Sequence, residues 1–196
     1  MACLAMHLAI GEKYLQMHKS EVKSEFVEGT LAPDLAVDKI ASHYGENKRP
    51  TTVKEMMDFK MDIVKAAQQS DLGSSFSRAE FLHLICDDIF YRFVYSEELE
   101  KWKPEEVKQA MYDDFDFVTY YILNKYNVKL PENLQHLATN KKGESRFFTP
   151  DAIDVFINAI ASINLEQARQ QILTDLPKFR FDIMEKLNAK KTVKSK

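Results

Sequence analysis

The sequence predicts an all-α, single-domain protein: a multi-helix bundle over residues 1–188, with a basic tail at 189–196. Three observations carry this. Glycine (5) and proline (6) are scarce in 196 residues, and a turn-rich β architecture needs both. Apolar residues recur three and four apart along nearly the whole chain, the period of an amphipathic helix. Helix-start signals recur before these runs. A hydrophobic content of 45% at this length is enough for a real core.

The elements follow in order. A first helix is predicted over about residues 3–18, with His7, Gly11 and Tyr14 on one stripe. A second, over 21–30, is expected to end at Gly29. Residues 31–50 read as loop, with Pro33, Gly45 and Pro50. "TTVKEMMDFKMDIVKAAQQ" reads as one helix from a threonine cap to about residue 69. "SRAE", Ser77 to Glu80, has the form of a capping box and opens the helix of "FLHLICDDIF". Pro104 suits the first turn of a long helix reaching Asn127. Thr149 caps a further helix with Pro150 in its first turn, and at least one more fills 164–188. "ESRFF", residues 144–148, is the sole strand candidate.

Composition also excludes functions. A net charge of −3 gives no electrostatic case for long nucleic acid, since the basic residues bunch only in the tail. Cys3 and Cys86 are too few for a disulfide scaffold, and Cys86 reads as a reduced, buried thiol. The start, "MACLAMHLAIGEKYL", lacks a basic segment and is interrupted by His7, so it does not read as a secretory leader. No run of 18 apolar residues exists to span a membrane, and a cytoplasmic location is the expectation.

The chemistry lies in polar residues on apolar segments. His83 and Asp87 are four apart and share a helix face, with no partner in their own helix. Asp88 points elsewhere and is expected to form an exposed pair with Arg92. His7 sits in an apolar first turn, Asp34 follows Pro33, and His43 lies in "SHYG". Asp114 falls on the stripe of Val107, Ala110, Met111, Val118, Tyr121 and Ile122, so its carboxylate faces the core. Each has an ordinary role alone: a satisfied core histidine, a turn aspartate, a cap on a neighbouring helix. Together they form the His/Asp donor set that Zn²⁺ or a similar divalent ion takes.

The order His7, "APD" with Asp34, "SHYG" with His43, and "HLICD" with His83 and Asp87 resembles the zinc-dependent phospholipase C family. Its all-helical fold is shared with the P1 nucleases. The match covers roughly residues 1–95. The resemblance implies that Asp34, His43, His83 and Asp87 hold one zinc. It also implies that Asp87 bridges to a second ion bound by His7. In the family an N-terminal tryptophan completes that second site. Here residue 1 is Met and the sole tryptophan is Trp102. A third family metal takes two His and a Glu after the bridging Asp, and "IFYRFVYSEELEKW" contains no His. One or two zinc ions are therefore expected, with Asp114 able to replace a lost ligand.

The function expected is hydrolysis of a phosphoric ester, on a small soluble or lipid substrate. Two ions about 4 Å apart can bind a phosphate, lower the pKa of a bound water and stabilise the leaving oxygen. Asp34 is the candidate general base. Tyr44 and Tyr91 could contact substrate, although packing is the commoner role. The alternatives are a P1-nuclease-like nucleotide phosphoesterase and a non-catalytic helical protein with a structural metal. An HD-type phosphohydrolase would need an adjacent His-Asp pair, and none occurs.

Overall fold

The computed structural model describes residues 2–94, 99–138 and 145–192, and these are helical with no strand among them. The helices are α1 (Leu4–Met17), α2 (Lys23–Leu35), α3 (Lys39–Ser42), α4 (Val53–Lys60) and α5 (Ile63–Gln69). After them come α6 (Ser75–Val94), α7 (Pro104–Tyr126), α8 (Pro150–Ala161) and α9 (Leu165–Thr192). Short 3-10 turns lie at Leu99–Lys101 and Glu132–Leu137. No helix among the described residues is long and apolar enough to cross a membrane.

α6 is the axis of the molecule. Phe81, Leu82, Ile85, Cys86, Ile89 and Phe90 are buried on all its sides, so any polar group on it must find a partner inside the protein. α2 crosses it most closely, and α9, α5, α1 and α8 also pack on it. The close crossing of α2 and α6 depends on Gly29. A Cβ there would lie 2.3 Å from the Phe76 carbonyl oxygen. Gly11 plays a similar part between α1 and α2, where a Cβ would lie 2.9 Å from Thr30 Oγ1.

Several expectations need correction. α2 does not stop at Gly29 but runs through it to Leu35, because close packing, not termination, is that glycine's role. Residues 31–50 are therefore only partly loop, and they also hold the short α3. The single helix expected over 52–69 is two. It breaks at Met61 and Asp62, where the Asp62 side chain accepts from Lys65 N at 3.0 Å and starts α5. The break has a consequence for the site. Phe59 O is free to accept from Glu46 N, and Asp62 N donates to His43 O. These bonds fasten the segment that carries His43.

α6 opens two residues before the predicted box. Ser74 Oγ accepts from Ser77 N at 3.0 Å, and Ser77 Oγ accepts from Ser74 N at 3.1 Å, so two serines cap each other. Asp88 is buried, not exposed. It pairs with Arg92 at 3.3 Å and more closely with Arg180 of α9, at 2.6 and 2.9 Å. α9 bends at Asp175, whose carboxylate accepts from Lys178 N and restarts the helix with Pro177 in its first turn. Residues 145–148 form bends with no strand, and Glu144 lies outside the described residues. α9 continues to Thr192, into the segment expected as tail, and residues 193–196 lie outside the described residues.

Candidate metal centre

Five of the six sequence-predicted residues meet at one place. His7 comes from the first turns of α1 and Asp34 from the end of α2, not from a loop as expected. His43 follows α3, and His83 and Asp87 share a face of α6. The side chains of His7, His83 and Asp87 are fully buried, His43 is 1% exposed and Asp34 is 10% exposed. His7 Nε2 lies 3.2 Å from Asp87 Oδ1 and 4.0 Å from Asp34 Oδ2. His43 Nε2 and His83 Nε2 lie 3.3 and 3.7 Å from Asp87 Oδ2. The His7 and His83 rings stack at 3.6 Å, nearly parallel.

The tautomers can be read from the backbone. His83 Nδ1 is 2.8 Å from Thr30 O, and His43 Nδ1 is 2.7 Å from Lys39 O. A carbonyl only accepts, so each Nδ1 carries the hydrogen. In its neutral form each ring then presents a bare lone pair at Nε2, and these two atoms face each other at 3.3 Å. Two lone pairs at that distance repel unless a cation stands between or beside them. Burial, reinforced by the charge of His7, holds the His83 imidazole well below its ordinary pKa, against the pull of Asp87. His7 Nδ1, His7 Nε2 and Asp87 Oδ2 are buried without a hydrogen-bond partner. Buried polar atoms of this kind are rare and need a physical cause.

Asp87 is the hub. Burial alone would raise its carboxyl, but the positive charge around it holds it well below the usual carboxylate range. One oxygen accepts from Ala2 N at 2.6 Å, and the other has no donor. Two overlapping groups could hold a metal ion: His7, His83 and Asp87, and Asp34, His43 and His83, each with donor atoms within 4.8 Å of one another. The cysteines do not contribute. Burial pushes the Cys3 thiol up to about 11 and the Cys86 thiol well above its ordinary value.

Asp114 is corrected. Its carboxylate is buried, as its helical phase requires. It accepts from Arg146 N at 2.9 Å, from Phe147 N at 2.7 Å and from the Ser145 hydroxyl. With both oxygens committed to that loop, it belongs to neither group of candidate ligands. Tyr91 lines the cavity beside the cluster, whereas Tyr44 lines a different one and Trp102 a third.

The cavity beside the cluster has a volume of about 340 Å³. Ala2, Cys3 and Asp34 border it on the cluster side, so Asp34 is the one residue of the five on its wall. Lys39 Nζ stands 3.9 Å from Asp34 Oδ1. Sequence reasoning missed the two carbonyls that orient the histidines, because a backbone carbonyl has no residue signature. It also missed Lys39, Lys60 and Lys108 on the cavity wall, which no spacing rule singles out. No family model, no curated protein and no solved structure matches this chain.

Proposed function

We propose that this protein is a zinc-dependent phosphoric ester hydrolase, with His7, Asp34, His43, His83 and Asp87 as its metal ligands. The observation that carries the reading is the pair of facing Nε2 atoms at 3.3 Å, beside a carboxylate oxygen that has no hydrogen-bond partner. The donor chemistry fits zinc, which takes imidazole nitrogen and carboxylate oxygen. His43 and His83 each make the outer-nitrogen hydrogen bond to a carbonyl that metal-binding histidines commonly make. Five donors exceed the four that a closed structural zinc takes, which favours a second, open position. The order of these residues also resembles the phospholipase C arrangement.

When bound, the ions would supply Lewis acidity and a water of lowered pKa. The chain supplies the rest. Asp34, on the cavity wall, takes a proton from the attacking water. The water oxygen bonds to phosphorus as the ester P–O bond breaks, the leaving oxygen takes a proton from solvent, and Asp34 returns its own proton to solvent. Lys39 beside Asp34 favours an anionic ester at that end. The buried Asp87 keeps its charge and orients the three imidazoles around it.

The test is hydrolysis of a chromogenic phosphodiester and phosphomonoester with added Zn²⁺ or Mn²⁺. Wild type should turn over at least one, chelator should abolish this, and Asp34→Asn should lower the rate roughly 10²–10⁴-fold. Because Asp34 is also a ligand, metal content is measured on both proteins: rate lost with metal retained marks Asp34 as the base, and rate lost together with metal marks it as a ligand alone. A structural metal is the second reading, favoured by the full burial of His7 and Asp87. Stoichiometric metal with no turnover of either ester would establish it instead.

A further inference from the structure

Two lysines on the cavity wall have no assigned role. Lys60, half-buried, and Lys108, on α7, line the cavity that Asp34 borders. They also line an adjoining cavity of about 200 Å³, of which Asp34 is not part. Asp34 therefore lines one cavity, and the lysine pair lines both. No ion pair is found for Lys60 or Lys108 among the described residues, although Asp116 is on the same wall. In the second cavity Glu46 is already paired with Lys48, and Glu105 is exposed. Lys108 Nζ rests 5.7 Å from the Tyr112 ring centroid. Burial and the neighbouring Lys108 charge lower the Lys60 ammonium from its ordinary value, so an anion there would relieve both. The same cavity wall also carries the apolar and aromatic side chains of Met111, Tyr112 and Phe115.

We propose that Lys60 and Lys108 form a subsite for a second anionic group, so that the substrate is a phosphoester carrying another phosphate across a compact apolar or aromatic spacer. This rests on the metal reading for the first phosphate but is measurable apart from it. One phosphate sits at the cluster, the spacer lies against Tyr112 and Phe115, and the second phosphate meets two ammonium groups. Such charge-assisted contacts are among the strongest a binding site offers. A zwitterionic ester, with a cation in place of the second phosphate, would be repelled.

The experiment compares hydroquinone bisphosphate with phenyl phosphate by calorimetric binding, using zinc-treated and metal-free protein. Metal content and thermal melting are recorded on the same samples. The bisphosphate should bind at least about tenfold more tightly, with an advantage that shrinks at high salt. Lys108→Met should remove most of that advantage, and because Lys108 is exposed on a helix the fold should survive. Lys60→Met should do the same and keeps the packing of the stem. Equal affinity for the two compounds, or an advantage that persists in both variants, would overturn the subsite. Zinc bound without the advantage sinks the subsite and leaves the metal centre standing. A lysine-dependent advantage in protein that takes up no zinc sinks the metal reading and leaves the subsite.

Discussion

At the scale of single residues, His83 is where sequence and structure agree most fully. Its place in an apolar run demanded a partner, and the fold supplies Thr30 O on one nitrogen and the cluster on the other. His83→Ala should strip bound metal and lower the melting temperature of metal-loaded protein by far more than that of metal-free protein, because metal binding adds to folding free energy. Full metal retention in that variant would refute the ligand assignment. A second residue-level expectation concerns acid. Burial works to raise the Glu21 carboxyl, but its bonds from Arg78 at 2.8 Å and Ser75 hold it below 4.5. A carboxylate depressed in the folded state contributes stability above its unfolded value and loses it as pH falls through its folded value. Wild type should thus lose stability below about pH 4.5 more steeply than Glu21→Gln, measured by thermal melts from pH 6 to 3.

The elements show why some features were legible and others were not. Helical phase alone gave α1, α6, α7 and α8, and it placed Asp114 inward. It could not say that Asp114 would cap residues 145–147, because that partner is some 30 residues away in sequence. Gly29 was misread for a physical reason. Glycine ends helices and also lets helices touch, and only the neighbour decides which. Gly29→Ala should cost about 1–3 kcal/mol or more through overpacking against Phe76, and should displace the adjacent Thr30 carbonyl from His83. Chemical denaturation measures the first effect and metal affinity the second. A neutral Gly29→Ala would mean that α2 and α6 cross less rigidly than the geometry states. Asp88 teaches the same lesson, since its closer partner, Arg180, lies on α9. Arg180→Ala should destabilise by about 1–3 kcal/mol, the exposed side of the pair limiting the loss.

For the molecule as a whole, helices from the first half of the chain converge on α6 and deliver the five candidate ligands, while α8 and α9 close the far side of the core. The all-helical class was readable because periodicity is a local property. The convergence was readable only in part, through residue types: three His and two Asp on apolar segments each need a partner, and a shared ion would satisfy them together. The cavity and its lysines were not readable, because a cavity belongs to no segment. The central claim is that these five side chains hold metal. Its most direct measurement is elemental analysis of the protein after incubation with Zn²⁺ and removal of unbound ion, in parallel for wild type and His83→Ala. Wild-type protein should retain one or two zinc ions per chain, and the variant should lose them. Wild-type protein that is folded by circular dichroism yet retains no zinc, or a variant that retains as much, would contradict it.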